Sequence, residues 1–221
     1  NCLYIDCDSL VYDDLGEVFK TFENSSINVI GIKATRDGEW GANVVDTCLQ
    51  FDIRYLIRFC GAFYYVSSSE VADEICKTSI DLLSQIKLEI LDHIPSVNDE
   101  SIFSIAMPMY GVEPIKDDGN IWSDTVQLRS NDCNVFNGPV KMENSPEYKY
   151  KFWLPEGKYA PKILHFGGRF YNRRPWLFES VRLKLYYKYG LTISQCNFLV
   201  NNFVKAPYVM MGKLKAFLQG R

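Results

Sequence analysis

Short apolar segments alternate along the chain with segments whose apolar residues recur at helical spacing. Residues 3–5 and the β-branched run 27–32 each have the length and composition of a strand. Between them, residues 15–22 repeat their apolar side chains at the spacing of one helix face. The alternation continues with a strand over residues 55–66 and a helix over 71–91. Strands that alternate with helices predict the α/β fold class, with a mixed sheet flanked by helices.

The last part of the chain is helical and basic. Apolar residues recur at helical spacing over residues 176–189, 193–204 and 208–218. From residue 169 onward ten Lys and Arg stand against one acidic residue, whereas the first 168 residues hold fourteen Lys and Arg against twenty-six Asp and Glu. We therefore predict an α/β core over residues 1–176 and a basic C-terminal helical segment over residues 177–221.

The basic helical segment suits an anionic partner. Clustered Lys and Arg attract phosphate groups, nucleic acid or an anionic membrane surface, and a solvated helical face is the alternative. We expect peripheral contact with a membrane surface and no nucleic-acid partner.

Cysteine spacing and hydropathy bound the cellular context. The seven cysteines are scattered, and none belongs to a Cys-x-x-Cys pair, which argues against a zinc ribbon and a thioredoxin-like redox site. Free thiols are typical of a reducing compartment. No apolar run reaches the roughly 18 residues of a transmembrane helix. We expect a cytoplasmic protein that is at most peripheral at a membrane surface.

An acidic pair, Asp6 and Asp8, directly follows the first predicted strand. Alternate residues of an extended segment point to the same side, so both carboxylates can converge on one cation. Carboxylate oxygens are hard ligands that suit Mn²⁺ or Mg²⁺. Such pairs also occur in surface loops and at helix starts, but the apolar residues on both sides of this pair favour a metal site.

His165 ends a short predicted strand over residues 162–165, and small and basic residues follow it. Gly167 and Gly168 let backbone N–H groups approach a phosphate closely. Three arginines come next in the chain: Arg169, Arg173 and Arg174. Guanidinium groups match phosphate oxygens in a fork geometry, and a neutral imidazole can be a third ligand beside two carboxylates. The alternative is a core histidine followed by a basic loop that binds no phosphate.

These motifs together resemble the family-8 glycosyltransferases, the group that contains glycogenin. The resemblance is carried by the strand ending in Asp6-Cys7-Asp8, the glycine-bearing run Phe59-Cys60-Gly61, the helix-opening pair Asp99-Glu100, and His165 with Gly168 and Pro175-Trp176. It implies a nucleotide-sugar transferase fold of the GT-A type over residues 1–176.

The resemblance implies a site for a divalent cation and a diphosphate. Its metal ligands would be Asp6, Asp8 and His165, with Mn²⁺, or Mg²⁺, as the cofactor. The family usually has Lys before Pro-Trp where this chain has Arg174, and the stretch that leads there from His165 is longer here. The diphosphate contact therefore stays open among three arginines, beside the backbone of two glycines: Arg169, Arg173, Arg174, Gly167 and Gly168.

The resemblance also implies the donor-sugar side of the site. Gly61 would lie against the nucleotide sugar, and Asp99 and Glu100 would bind or position its sugar. In an inverting reaction one of these two carboxylates would be the base for the acceptor hydroxyl, but the resemblance implies retention. The expected reaction is transfer of a hexosyl unit from a nucleoside-diphosphate sugar, taken to be UDP-linked, to a hydroxyl of a glycan, lipid or protein.

The nucleotide base is not accounted for by these motifs. Only five residues precede Asp6, whereas the family places the β-α-β unit that holds the base before this position. The base-binding residues are therefore expected outside this sequence, and a chain that stood alone would have an incomplete donor site.

Two other functions fit part of the sequence. A strand ending in Asp-x-Asp is also similar to the N-terminal motif of haloacid-dehalogenase-type phosphatases, with Asp6 as nucleophile and Asp8 as acid and base. That mechanism would draw on Thr35 and the pair Asp117-Asp118, and it leaves the cluster after His165 unexplained. A non-catalytic binding module would dock through the basic helical segment and would not depend on a metal.

Overall fold

The computed structural model describes residues 1–40, 43–85, 99–124, 133–138, 140–146, 151, 153–167 and 175–219. Its strands are β1 Cys2–Ile5, β2 Ser9–Val11, β3 Ile27–Asn28, β4 Ile30–Ala34, β5 Leu56–Phe59, β6 Phe63–Val66, β7 Ile115–Lys116, β8 Trp122–Asp124, β9 Met142–Asn144, β10 Gly157–Tyr159 and β11 Ile163–His165. Its α-helices are α1 Gly16–Thr21, α2 Val44–Gln50, α3 Glu70–Gln85, α4 Asp99–Met109, α5 Trp176–Tyr189, α6 Ile193–Leu199 and α7 Ala206–Leu218.

The fold is mixed α/β, as the alternation of segments predicts. In the described residues the strands form three three-stranded sheets, β1-β6-β3, β2-β11-β8 and β5-β4-β7, and one two-stranded sheet of β9 and β10. The two sheets that contain β4 and β11 are mixed, because each of these strands has one parallel and one antiparallel neighbour. Helix α4 packs against β5 and against α3. In place of one mixed sheet, the described residues thus form four small sheets, two of them mixed and two antiparallel.

The predicted strand over residues 55–66 is in fact two strands that enter different sheets. β5 pairs with β4, whereas β6 pairs with β1 and β3. The break falls at residues 60–62, where a Cβ on Gly61 would lie only 2.9 Å from Cγ of Glu100 in helix α4. A residue without Cβ permits this approach. The break therefore brings the end of β1, where Asp6 follows, close to the start of α4.

The charged residues and three prolines of residues 141–161 predict a long surface loop from sequence, but this stretch contains the β9–β10 hairpin. The loop inside it is held by the buried Asn144, whose side chain accepts from the N–H of Lys151 at 2.9 Å and donates to the carbonyl of Leu154 at 2.9 Å. Buried backbone groups need such partners. The prediction was wrong because these bonds come from a side chain and leave no periodic signal.

The C-terminal helices follow the predicted boundaries closely. Helix α6 runs into a π-helical segment, Val200–Lys205, which leads directly into α7. Helix α5 buries Phe178, Glu179 and Arg182, whereas α7 buries no side chain. Among the described residues, no helix combines the length and apolar character needed to cross a bilayer.

Candidate metal centre

The acidic pair lies in the tight connection between β1 and β2. The N–H of Asp6 donates to the carbonyl of Ala62 at 3.1 Å, and the N–H of Ser9 donates to the carbonyl of Asp6 at 2.9 Å. The hydroxyl of Tyr4 donates to Oδ1 of Asp6 at 2.8 Å, and this bond raises the pKa of Tyr4. Backbone bonds thus hold the turn in place, and Tyr4 orients the carboxylate of Asp6.

His165 reaches the same place from the far end of the sequence. Strand β11 lies between β2 and β8, so His165 is opposite Ser9 on one side and Asp124 on the other. The N–H of Phe166 donates to the carbonyl of Asp8 at 2.9 Å. Nε2 of His165 lies 3.3 Å from Oδ1 of Asp8 and 3.8 Å from Oδ2 of Asp6. The three residues proposed as ligands from the sequence do meet.

The spacing of these donor atoms fits a divalent cation. One ligand atom from each of Asp6, Asp8 and His165 lies within 4.8 Å of the other two. Two ligands about 2.2 Å from a common ion can be at most about 4.4 Å apart, and the two distances from Nε2 of His165, 3.8 Å to Asp6 and 3.3 Å to Asp8, lie within that limit. All three residues are partly exposed, which leaves room for further oxygen ligands. Carboxylate oxygens suit Mn²⁺ and Mg²⁺, whereas an imidazole nitrogen suits transition metals, so this set of donors fits Mn²⁺ better than Mg²⁺.

The imidazole is held by packing rather than by a hydrogen bond to its far side. Its ring stacks on Trp122 with centroids 6.0 Å apart. Gly167 covers it closely, because a Cβ there would overlap Cε1 and lie 2.6 Å from Nε2 of His165. Nδ1 is buried and has no hydrogen-bond partner within the described ranges. Gly167, proposed from the sequence as a phosphate contact, therefore has a steric role beside the imidazole.

Gly167→Ala is expected to weaken Mn²⁺ binding by about 10–100-fold, the range found when the support of a metal ligand is lost. The added methyl group must displace the imidazole from the two carboxylates. Titration of Mn²⁺ followed by its electron paramagnetic resonance would measure the affinity. Gly16→Ala is the matched control, because its Cβ would meet only the movable side chain of Asp14, and it should bind Mn²⁺ like the parent. Equal affinity for both variants would contradict the assigned role of Gly167.

The second acidic pair, Asp99 and Glu100, opens helix α4 beside the glycine break. The N–H of Gly61 donates to Oε1 of Glu100 at 2.7 Å, and the hydroxyl of Tyr64 donates to Oδ2 of Asp99 at 2.9 Å. Burial raises the pKa of Glu100, and the charges of Asp99 and Asp6 raise it further. The two acidic pairs therefore influence each other electrostatically. Because protein donors bind both carboxylates of the second pair, its arrangement suits positioning better than proton transfer.

The diphosphate-binding residues proposed from the sequence cannot be compared with the fold. Gly168, Arg169, Arg173 and Arg174 lie outside the described residues, so their contact with a phosphate stays a prediction. Gly61, proposed to lie against the nucleotide sugar, is among the described residues. Its N–H donates to the carboxylate of Glu100.

Sequence reasoning missed two aromatic residues at this site. Tyr4 holds Asp6, and Trp122 stacks on His165. Strand β8, which carries Trp122, has three residues, too few for a periodic pattern. The alternation of side chains along β1 could have placed Tyr4 on the same face as Asp6.

The pair named for the phosphatase alternative, Asp117 and Asp118, already accepts hydrogen bonds from groups of the protein. The buried carboxylate of Asp117 accepts from Nζ of Lys151 at 3.0 Å and from the indole N–H of Trp153 at 3.0 Å. Asp118 accepts from the N–H of Asn120 at 2.9 Å. The backbone N–H of Thr35 donates to Glu39 at 2.7 Å. These bonds stabilise loops, and they give the phosphatase alternative no support.

In comparisons with known protein families, curated proteins and solved structures, the chain matches none. The chemistry of the site therefore has to follow from its own geometry.

Proposed function

We propose that the chain is a metal-dependent glycosyltransferase that moves a hexosyl unit from a nucleoside-diphosphate sugar, UDP-linked in our proposal, to a hydroxyl acceptor. The observation that carries the proposal is the meeting of Asp6, Asp8 and His165, whose donor atoms lie within 4.8 Å of one another. Two of these residues are at the start of the chain and the third is more than 150 positions later.

The charge of this cluster supports a cation as its ligand. In the described part of the chain, no Lys or Arg forms an ion pair with Asp6 or Asp8, and the imidazole of His165 is their ion-pair neighbour. Carboxylates close together repel one another, and partly buried charges need a partner. A divalent cation would meet that need more fully than a single imidazole.

The proposed reaction breaks the bond between the anomeric carbon and the diphosphate and forms a bond from that carbon to the acceptor oxygen. The nucleoside diphosphate leaves with the bonding electron pair, and the proton of the acceptor hydroxyl passes to a phosphate oxygen of this leaving group. A bound Mn²⁺ supplies neutralisation of the negative charge on the departing diphosphate. Asp6, Asp8 and His165 would hold this cation. Asp99 and Glu100, whose carboxylates are fixed by Tyr64 and Gly61, position the sugar.

The proposal is tested by thermal unfolding with nucleoside diphosphates in the presence and absence of Mn²⁺. UDP with Mn²⁺, at a hundred times its dissociation constant, would stabilise the fold by about 2.7 kcal/mol, which corresponds to roughly 5–10 °C in Tm for a chain of this size. UDP with EDTA should have no such effect. Stabilisation by a phosphate mimic with Mg²⁺, without any nucleotide effect, would contradict the proposal in favour of a phosphatase.

A further inference from the structure

Helix α7 is attached to the rest of the described chain along one side only. It buries no side chain. Its two partly buried residues, Val209 and Ala216, lie on the same side of the helix because they are seven residues, or about two turns, apart. The ring of Tyr208 lies 6.0 Å from that of Phe178 in α5. The side of α7 opposite Val209 and Ala216 therefore faces away from these contacts.

That opposite side is apolar. Five of its side chains each expose between 59% and 79% of their surface: Met210, Met211, Leu214, Phe217 and Leu218. At 3.6 residues per turn they fall within an arc of about 120°, and we call them the apolar stripe. Two exposed phenylalanines, Phe198 and Phe203, precede the stripe in the helical segments that lead into α7, with ring centroids 6.2 Å apart. Monomeric soluble proteins rarely expose a large contiguous apolar patch, and such a patch marks an interaction site.

Lysines lie on both flanks of the apolar stripe. By the same helical geometry, Lys213 and Lys215 each fall about 40° outside one edge of the arc, and both are exposed. Helix α7 contains no Asp or Glu, and Glu179, the one acidic residue between positions 175 and 219, is buried against Arg182. The surface around the stripe is therefore positive, and its complement is a negatively charged partner.

This arrangement matches the boundary between lipid headgroups and acyl chains. The apolar stripe can enter the acyl region, while the long stems of Lys213 and Lys215 let their ammonium groups reach the headgroup phosphates. Helix α7 has 13 residues, so its length of about 20 Å is shorter than the roughly 30 Å of a bilayer core. Such a helix can lie in the plane of a membrane surface but cannot cross the membrane.

The exposed apolar side chains favour a membrane surface over a solvated helical face. An excess of Lys and Arg alone is compatible with either, but transfer of Met, Leu and Phe out of water is favourable, so a solvated face gains nothing from exposing them. We propose that the apolar stripe docks the chain onto an anionic membrane surface, with Lys213 and Lys215 bound to lipid phosphates. Docking of this kind does not depend on the proposed glycosyltransferase function.

The proposal is tested by flotation of the full chain with lipid vesicles, in the absence of nucleotide and Mn²⁺. The chain should bind vesicles of equimolar phosphatidylcholine and phosphatidylglycerol, and bind phosphatidylcholine alone much more weakly. Lys213→Gln with Lys215→Gln should weaken binding to the anionic vesicles about 30-fold, because each lysine near such a surface contributes about 1 kcal/mol, or about 5-fold in affinity. Raised salt should weaken binding of the parent protein for the same reason.

Leu214→Gln with Phe217→Gln tests the apolar contribution while both lysines remain. Binding to the anionic vesicles should fall by at least about 10-fold, because two side chains no longer favour the acyl region. Both positions are exposed, so the variant should fold like the parent protein, which circular dichroism checks. Leu49→Gln with Lys116→Gln is the matched control. It removes an exposed leucine of α2 and an exposed lysine of β7, and it should bind vesicles like the parent.

Three outcomes would overturn the inference. The first is a folded parent protein that binds neither kind of vesicle. The second is vesicle binding that either double variant of α7 leaves unchanged, which would place the contact elsewhere. The third is a dimer in sedimentation velocity that binds no vesicles and that Leu214→Gln with Phe217→Gln makes monomeric, which would assign the stripe to a second copy of the chain. None of these results bears on the effect of UDP and Mn²⁺, which is measured without vesicles, so the two proposals fail separately.

Discussion

Asp8→Asn is expected to weaken Mn²⁺ binding by at least about 100-fold, because loss of an outer-shell partner alone costs about 10–100-fold. The substitution keeps the size of the side chain and an oxygen near Nε2 of His165, which lies 3.3 Å from Oδ1 in the parent protein. It removes one of the two negative charges that meet at this site. The Mn²⁺-dependent stabilisation by UDP should be lost with it.

The same variant should be as stable as the parent protein without metal, or slightly more stable. Asp6 and Asp8 repel each other when no cation is bound, and Asp8→Asn relieves this repulsion. A purely structural Asp8, paired with His165, would give the opposite result, since loss of the pair would lower Tm. Weaker Mn²⁺ binding together with an unchanged or higher Tm therefore distinguishes a metal ligand from a purely structural residue.

Both quantities can be measured on the same samples. Mn²⁺ affinity follows from the resonance of the free ion during titration, and Tm is recorded in EDTA. Asp118→Asn is the matched control, because Asp118 is exposed and its carboxylate accepts from the nearby N–H of Asn120. Unchanged Mn²⁺ affinity in Asp8→Asn would contradict the proposed metal site and, with it, the proposed reaction.

The meeting of Asp6, Asp8 and His165 could be predicted in part from sequence, because each of these residues has a local signal. Asp6 and Asp8 follow an apolar strand, and His165 ends another before a glycine. Strands β1 and β11 belong to different sheets, however, so no rule for the strand ends of a single sheet predicts that these residues meet. The two strands do meet through β2, which pairs with β11 directly after the acidic turn.

The cavity lined by Trp40, Trp122 and Trp153 could not be predicted in this way. Its walls come from the loop with Trp40, from β5 with Arg58, from β8 with Trp122 and from the hairpin with Lys151. These segments are far apart in sequence, and each contributes one or two residues. Pairings of β4 with β5 and with β7 bring part of this wall together, and such register is fixed by the tertiary fold rather than by local pattern. The cation–aromatic contacts leave no spacing to detect.

A buried ion pair ties the C-terminal helices to the rest of the chain. On helix α5, Arg182 donates to Glu179, and both side chains are almost fully buried. Glu179 also accepts from the N–H of Val135 at 2.6 Å, and Arg182 donates to the carbonyl of Cys133 at 3.4 Å. Residues of the predicted core and of the basic segment thus share one network. Disruption of this network should therefore destabilise both the predicted core and the basic segment.

Arg182→Met is expected to lower the free energy of unfolding by about 3–5 kcal/mol, the usual cost of leaving one partner of a buried pair alone. Burial already raises the pKa of Glu179, and Arg182 opposes that shift. Without the arginine this pKa rises further, so the deficit should be largest at high pH and shrink as acid protonates Glu179. Urea unfolding at several pH values measures it, with the exposed Lys184→Met as the matched control.

The double variant Glu179→Gln with Arg182→Met separates the cost of an orphaned charge from the loss of contacts. A neutral glutamine can still accept from the N–H of Val135, so most of the lost stability should return, and the pH dependence should disappear. A double variant as unstable as Arg182→Met would assign the loss to packing of the arginine stem. A single variant within about 0.5 kcal/mol of Lys184→Met, the range of ordinary surface changes, would mean that the pair is solvated and that α5 is not held against residues 133–135 in solution.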